Sequence, residues 1–208
     1  MLPLGEPKFR RRKADRPSEI LDAALAVFAE KGFAAARLDE IAARAGVSKG
    51  ALYLYFETKQ DIFRAVVGQM IAPNIQAVRA MIAAHPGPLP DLLRAFGAQV
   101  ATLIDTLPIG GVAKMVIGEA RNFPEIARVW HDELVVHAIG ALTDAIRAAQ
   151  ARGEARPGDP RAFALQLIAP MLVGVIWRET FVPVGAQPFD LPALARQHVE
   201  TMIRGIAA

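Results

Sequence analysis

The 208-residue chain contains no cysteine. It can therefore form neither a disulfide nor a thiolate metal site, and we expect it to work in a reducing compartment, the cytoplasm. No apolar signal segment follows the basic residues near its start, so export is not expected. The longest stretch without a charged residue, 162–177, falls short of the roughly 20 residues that span a bilayer, and we interpret it as a buried helix.

Motifs of common enzyme classes are absent as well. The sequence has no HExxH metal site, no phosphate-binding glycine loop and no Gly-x-Ser-x-Gly turn. Glu133 and His137 have the i, i+4 spacing of two metal ligands, but no third ligand accompanies them, so a surface pair is the better interpretation. We therefore expect neither catalysis nor a bound metal or cofactor.

Positive charge is unevenly distributed along the chain. Residues 1–60 contain 11 Lys or Arg and 8 Asp or Glu, a net charge of +3, whereas residues 61–208 contain 13 of each. Much of the excess lies between residues 8 and 16, and we predict a flexible basic arm over 1–16. Such an arm attracts polyanions and can reach along a DNA backbone or into the minor groove, although a purely solubilising tail is the alternative.

The stretch 38–59 predicts two short helices, 38–45 and about 49–56, joined by the turn Gly46-Val47-Ser48. A helix-turn-helix of this size places its second helix in the major groove of DNA, while the first helix crosses the backbone. The alternative is a compact three-helix module without a DNA role.

Local signals support this turn. Gly46 follows the last residue of the first helix, where glycine adopts a left-handed cap at least cost, and Ser48 stands where an N-cap belongs. Val47 can fill the space between the two helices. Helical spacing assigns two faces to the second helix, a packed face with Ala51, Leu52 and Tyr55, and an outer face with Lys49, Gly50, Tyr53 and Leu54.

The outer face suits a contact with DNA. Lys49 and Tyr53 can donate to phosphates or base edges, and Gly50 permits close approach of the backbone. Lys59 opens the next helix, where its charge and the helix N-terminus would both favour a phosphate. The cluster Tyr53-Leu54-Tyr55-Phe56, followed three residues later by Lys59, favours a DNA role over a plain surface.

The rest of the chain shows helical periodicity interrupted by Gly and Pro, with few strand signals. A first helix at about 17–31, with Pro17 in its first turn and Gly32 after its end, would complete the three-helix unit. Pro73 is expected to kink or interrupt the helix that begins near Thr58. Further helices are predicted at about 90–106, 110–122, 124–152, 160–181 and 191–206. The predicted fold is all-α, with a helix-turn-helix DNA-binding domain at 17–60 and a C-terminal helical bundle for ligand binding and dimerisation at 61–208.

Three segments resemble a known family, ILDAALAVFAEKGF (20–33), LDEIAARAGVSKGALYLYF (38–56) and TKQDIFRAVV (58–67). In order, spacing and residue type they are similar to the N-terminal DNA-binding domain of tetracycline-repressor (TetR) family transcription regulators. The resemblance implies a homodimer on double-stranded DNA, an all-helical C-terminal domain that holds a small ligand, and release of a palindromic operator when the ligand binds. By position it also implies residues that touch DNA or support the contact, namely Ser48, Lys49, Gly50, Tyr53, Tyr55 and Lys59.

Arg37 departs from the family pattern. The family usually has Ser or Thr there, which caps the first helix of the motif and touches a phosphate. Arginine cannot accept the capping hydrogen bond, and Glu40 lacks its usual capping-box partner. Because its charge still suits a phosphate, Arg37 remains a candidate for contacting DNA.

A ligand pocket is expected to be mostly apolar with a few polar groups. The segment MVIGEARNFPEIARVW (115–130) resembles the C-terminal domain of AefR-like regulators, a TetR subgroup, which does not specify an effector. The candidates for lining the pocket, each of which could instead be plain core, are Phe96, Val100, Met115, Glu119, Phe123, Trp130, Leu134, Met171, Val175 and Trp177.

The last two helices are predicted to form the homodimer interface. The run 162–177 is too apolar for a single buried stripe, and two such helices from each subunit would make a four-helix interface. We therefore predict a ligand-responsive DNA-binding regulator, most simply a repressor released by a small, largely apolar effector. The alternative is a non-enzymatic helical scaffold that uses its helix-turn-helix for protein contacts.

Overall fold

The computed structural model describes residues 8–208, and their side chains from residue 16 onward. Over this part of the chain it is built of α-helices without a strand, which confirms the predicted all-α class. The helices are α1 (Lys8–Ala35), α2 (Leu38–Arg44), α3 (Lys49–Tyr53), α4 (Lys59–Val66), α5 (Ala72–Ala84), α6 (Leu89–Thr106), α7 (Ile109–Glu119), α8 (Pro124–Trp130), α9 (Val136–Ala151), α10 (Pro160–Thr180) and α11 (Leu191–Ile206). Two π-turns, Val67–Ile71 and His131–Val135, join α4 to α5 and α8 to α9, and a 3-10 turn at Val182–Val184 follows α10.

The first helix begins earlier than the sequence predicted. It starts at Lys8, so Pro17 lies inside α1 and not in its first turn. A proline removes only one backbone donor, and this helix continues through the loss. Helical geometry is broken at Gly32, with φ 81°, just where the sequence predicted the end of the helix. Of the predicted basic arm, residues 1–7 lie outside the described residues and the backbone of 8–16 belongs to α1.

Three phenylalanines form the centre of the N-terminal unit. Phe28, Phe33 and Phe63 are at most 1% exposed, and their ring centroids lie 5.6 to 5.9 Å apart. The ring of Phe63 meets the other two edge-on, an arrangement that adds to the free energy of burial. The same core continues into α7 and α8 through Met115 and Ile126. Packing therefore runs across the boundary predicted near residue 60, and the division into domains stays a prediction.

Pro73 interrupts the long helix that starts at Lys59, as predicted. Just before it, hydrogen bonding passes into the π-turn, where the N–H of Ala72 bonds to the carbonyl of Val67. A proline ring clashes with the carbonyl four residues earlier, and the wider π-turn relieves that clash. The side-chain amide of Asn74 donates to the carbonyl of Met70 at 2.8 Å, which satisfies an acceptor in the disturbed turn. The chain stays helical throughout, so the start of α4 is joined mechanically to α5.

The C-terminal half packs around two apolar cores. The larger core lies among α5, α6, α9, α10 and α11, and includes Val78, Phe96, Leu142, Leu167 and Ile203. The smaller core lies among α6, α10 and α11, and includes Ile104, Met171, Val175, Leu191 and Ala195. Helix bounds in this half match the sequence predictions to within a few residues, because proline and glycine mark most of the helix ends.

Only one side of α10 is buried, contrary to the prediction of a buried helix. Leu167 and Met171 face the cores, whereas Leu165, Leu172 and Val173 are 55%, 38% and 62% exposed. By length and composition alone, Pro160–Val184 could also cross a membrane, and 22% of its apolar window is buried in the protein. The helix thus presents an apolar face that the rest of the described chain does not cover.

Candidate nucleic-acid interface and ligand cleft

The turn between α2 and α3 has the geometry that the sequence predicted. Gly46 adopts the left-handed conformation, with φ 67°, directly after the end of α2. The hydroxyl of Ser48 accepts a hydrogen bond from the N–H of Ala51 at 3.1 Å and caps α3. Val47 is half-buried and packs against the N-terminal core. These contacts fix α3 at a defined angle on the surface of the unit.

The two predicted faces of α3 are also observed. Leu52 is fully buried, and Ala51 beside it is half-buried. On the opposite side Tyr53 and Leu54 are 45% and 82% exposed, and a Cβ added at Gly50 would meet no neighbouring group within 4 Å. We refer to Lys49, Gly50, Tyr53 and Leu54 as the α3 outer face. The described residues leave this surface open to the close approach of a macromolecule.

Tyr55 lies on the packed side of the motif. The helix α3 ends at Tyr53, three residues before the predicted end, because the chain turns there to enter α4. The N–H of Tyr55 still bonds to the carbonyl of Leu52, and its half-buried ring packs against the N-terminal core. Of the two roles that the resemblance implies for this residue, the structure favours support over direct contact.

The two acidic residues at the start of α2, Asp39 and Glu40, are each paired with a lysine. The ammonium of Lys49 lies 2.7 Å from the carboxylate of Asp39, and this bond lowers the pKa of Asp39 and raises that of Lys49. Both side chains are at least half exposed, so the pair can exchange partners at little cost in free energy. Glu40 pairs with Lys31 at 2.6 Å. Arg37 is exposed at the N-cap of α2 and makes no side-chain capping bond, as its chemistry predicted.

Lys59 is bound to the backbone of its own chain. Its ammonium donates to three carbonyls at and just beyond the end of α1, those of Phe33 at 2.5 Å, Ala36 at 3.0 Å and Ala34 at 3.1 Å. All three of its donors are thus used, and burial lowers the pKa of Lys59. Of touching DNA and supporting the contact, this placement favours support, because carbonyls more than 20 residues away in sequence already accept from its ammonium.

Thr58 caps α4 through a reciprocal pair of hydrogen bonds with Asp61. Its hydroxyl accepts from the N–H of Asp61 at 3.1 Å, and the carboxylate of Asp61 accepts from the N–H of Thr58 at 3.0 Å. This reciprocal capping box fixes the start of α4 next to the end of α3. The helix that connects the two halves of the chain therefore begins at a rigid point beside the α3 outer face.

The ten residues predicted to line a ligand pocket do not gather around one cavity. Met115, Phe123, Trp130 and Leu134 belong to the N-terminal core. Phe96, Val100, Met171 and Val175 are divided between the two C-terminal cores. These apolar side chains fill space because large side chains at helical spacing pack most favourably against one another.

The remaining two of the ten make specific contacts elsewhere. The carboxylate of Glu119 accepts a hydrogen bond from the backbone N–H of Ala34 at 2.7 Å. The indole of Trp177 donates to the carbonyl of Gln187 at 3.0 Å and stacks near Phe181 and Phe189. Both contacts hold parts of the chain together.

A cavity of about 710 Å³ lies instead between α5 and α9, with the start of α6 at one end. None of the ten predicted residues lines it. Its polar lining includes Arg79, His85, His137, Asp144 and Arg152, of which the sequence pointed to His137 alone, as a surface pair with Glu133. The walls are otherwise mostly alanine and glycine, and small side chains give no distinctive signal in a sequence. Among the residues that the structure describes, no group of three or more His, Asp or Glu is placed to hold a metal ion.

Two family descriptions match the chain. Residues 20–66 match the bacterial regulatory proteins of the tetR family, and residues 91–206 match the C-terminal domain of AefR-like transcriptional repressors. The chain is also 30% identical over 213 aligned residues to the HTH-type transcriptional repressor BepR of Brucella suis biovar 1 (strain 1330), across 96% of this chain and 97% of that protein.

Solved structures share the fold. The transcriptional regulator FadR of Bacillus subtilis in complex with stearoyl-CoA has a TM-score of 0.71 at 24% identity, over 91% of this chain and 98% of that chain. A complex with triclosan of SmeT, the repressor of the Stenotrophomonas maltophilia multidrug efflux pump SmeDEF, has a TM-score of 0.74 at 22% identity, over 93% and 92%. At these identities the likeness shows the fold alone.

Proposed function

The chain belongs to the TetR family of bacterial transcription regulators, and from that premise we propose that it is a repressor in the cytoplasm, where its homodimer binds a palindromic operator and a small effector releases it. The observation that carries the proposal is the α3 outer face, which is exposed and rigidly capped and belongs to the part of the sequence, residues 1–60, that carries the excess positive charge. A helix presented in this way fits the major groove.

Individual roles follow from where the side chains lie. Tyr53 is assigned to base edges or phosphates, and Gly50 to close approach of the backbone. Lys49 is assigned to a DNA phosphate, for which it gives up its contact with the carboxylate of Asp39. The exposed Arg37 is assigned to a nearby phosphate of the DNA backbone. Ser48 and Tyr55 are assigned to holding α3 in position, and Lys59 to holding the α1–α2 connection.

The homodimer is assigned to α10 and α11. On α10 the apolar residues Leu165, Leu172 and Val173 are spaced by seven and eight residues, so they form one exposed stripe. Exposed apolar stripes of this kind are typical of helical interfaces between subunits. Two copies of the recognition helix related by a two-fold axis match the two half-sites of a palindrome.

Release by an effector is assigned to the C-terminal half. The structures of similar fold include FadR with stearoyl-CoA and SmeT with triclosan. In this chain, α4 and α5 form one continuous path from the α3 outer face to the larger C-terminal core. A ligand that binds one arrangement of this path better than another shifts the population of DNA-binding dimers.

The experiment that tests the proposal is a fluorescence-anisotropy titration of the full chain with DNA from upstream of its own coding sequence. A scrambled duplex of equal length is the control, and both are titrated at two salt concentrations. The proposal predicts tighter binding to the upstream DNA at both salt concentrations. Equal and strongly salt-dependent binding to both duplexes would leave only charge attraction, and no binding to either would favour a scaffold role.

A further inference from the structure

The cavity between α5 and α9 is an elongated cleft. At one end the guanidinium of Arg79 lies 3.4 Å from Nδ1 of His137, and at the other the N–H of Leu89 donates to the carboxylate of Glu154 at 3.0 Å. The lining on α9 extends from Val136 to Arg152, which corresponds to about 24 Å along the helix axis. The cleft therefore suits a long, narrow ligand.

The surfaces of α5 and α9 that face each other carry small residues, so side chains do not fill the space between the two helices. On α5 these are Ala80 and Ala83, and on α9 they are Gly140, Ala141 and Ala145. Cavity volumes of known ligand sites range from roughly 300 to 1,000 Å³, and the 710 Å³ here falls within that range. The volume is thus adequate for a small organic molecule.

Arg79 gives the cleft its chemical character. It is half-buried, and among the side chains described its guanidinium contacts Oε1 of Gln76 at 3.0 Å and Nδ1 of His137 at 3.4 Å and has no carboxylate partner. The other arginine of the cleft, Arg152, is bound to Glu154 at 2.6 Å. An arginine with no carboxylate partner, set into the wall of a cleft, is suited to bind an anion through its parallel N–H donors.

The remaining lining explains what kind of anion fits. Buried Ile82, Leu89 and Leu92 form an apolar region beyond Arg79. Asp144 is the acidic residue of the lining, and its carboxylate is bound to Arg147 at 2.6 Å. A charged head at Arg79 would therefore leave an apolar body to lie along the alanine-lined walls towards Leu89 and Leu92.

We propose that this cleft is the effector site, and that the effector is an amphipathic anion whose carboxylate or phosphate head binds Arg79 and whose alkyl body lies between α5 and α9. That a ligand bound here regulates DNA binding rests on the proposed function. Binding at this place would act on α5 directly, and α5 is continuous with α4 and its capped start beside α3.

Direct binding is measured by isothermal titration calorimetry of the full chain without DNA. The probes share a ten-carbon chain and differ in the head group: decanoate, decyl phosphate, 1-decanol and decyltrimethylammonium. We expect the two anions to bind at least about tenfold more tightly than the cation, and comparison of the two anions distinguishes a carboxylate from a phosphate ligand. Failure of both anions to bind, or equal binding of the cation, would overturn the assignment.

Variants locate the binding. Arg79→Gln should weaken decanoate binding about tenfold and leave decanol unchanged, whereas Arg161→Gln, the same loss of charge at an exposed site outside the cleft, should have no effect. Gly140→Phe should block all probes, and Gly140→Ala should not, because a Cβ at Gly140 meets no neighbouring group within 4 Å. Equal decanoate affinity in wild type and Arg79→Gln, or undiminished binding in Gly140→Phe, would contradict the proposal. These titrations contain no DNA, so their result does not depend on operator binding. The anisotropy titration described above tests operator binding separately.

Discussion

The carboxylate of Glu119, at the end of α7, accepts a hydrogen bond from the backbone N–H of Ala34 at 2.7 Å. On the other side of the same connection, the ammonium of Lys59 binds the carbonyl of Ala34 and two of its neighbours. The ring of Phe123 packs edge-on against Phe33, with centroids 5.1 Å apart. The segment between α1 and α2 is therefore held at once by the C-terminal half and by α4. Movement of α7 would reach the DNA-binding unit through this segment as well as through α4.

The hydrogen bond from Ala34 to Glu119 should contribute measurably to stability. We expect Glu119→Ala to lower the free energy of unfolding by about 1 kcal/mol, because an acceptor of a charge-assisted hydrogen bond is lost at a solvent-accessible site. Glu119→Gln keeps an acceptor oxygen and should lose less than half as much. Urea denaturation followed by circular dichroism measures both. If the alanine variant is as stable as wild type, the bond has no structural role.

Substitution of Lys59 and of Lys49 should distinguish a structural role from a DNA-binding role. Lys59→Gln should lower stability by about 1 to 3 kcal/mol, because three carbonyls lose their donor, and should leave the salt dependence of DNA binding unchanged. Lys49→Gln should do the opposite, with little change in stability and a salt slope reduced by about one phosphate contact. Thermal denaturation and anisotropy titrations over a salt series measure the two effects. A reduced salt slope in Lys59→Gln would restore this residue to the DNA interface.

Glu154 should make stability depend on pH. Hydrogen bonds from Arg152 and from the N–H of Leu89 lower the pKa of Glu154 from 4.5 to about 2. A carboxyl with a lowered folded-state pKa stabilises the fold at a pH above its unfolded value, and this contribution is lost as the pH falls from about 4.5 towards 2. Glu154→Gln should therefore have a lower Tm than wild type at neutral pH, and the difference should shrink at about pH 3. The exposed Glu57→Gln serves as the control, and a Tm difference for Glu154→Gln that is the same at both pH values would refute the linkage.

The exposed stripe of α10 should be required for dimerisation. Val173→Asp places a charge in the stripe at its most exposed residue and should give a monomer, since burying an unpaired carboxylate costs more free energy than a subunit interface of this kind can offset. Val184→Asp, at a residue 79% exposed in the 3-10 turn beyond α10, is the matched control and should remain a dimer. Sedimentation velocity at micromolar concentration distinguishes the two. A dimer of Val173→Asp would move the interface away from α10.

The helix-turn-helix could be predicted from sequence because its signals are local. The caps at Ser48 and Thr58 bond to residues three positions ahead, and the left-handed Gly46 follows directly after its helix. Arg37 was expected to make no cap and makes none. In each case the chemistry of neighbouring residues decides the structure.

Other features depend on distant contacts and could not be read from the sequence. The carbonyls that bind Lys59 come from residues 33, 34 and 36, and nothing beside Lys59 in the sequence indicates them. Large apolar residues such as Phe96 and Met115, for which the sequence left both a pocket and a plain core open, pack into cores. The cleft itself is lined by small residues such as Ala83 and Gly140, whose importance is the space that they leave.

If the α3 outer face reads DNA, the affinity for the upstream DNA should depend on the Tyr53 side chain. Tyr53 is 45% exposed, whereas Leu52 beside it carries the packing, so Tyr53→Ala should leave the Tm and the dimer unchanged. Anisotropy titrations should show binding to the upstream duplex weakened about tenfold or more, with binding to scrambled DNA little changed. Upstream affinity equal to that of wild type, in a folded dimeric variant, would contradict the account.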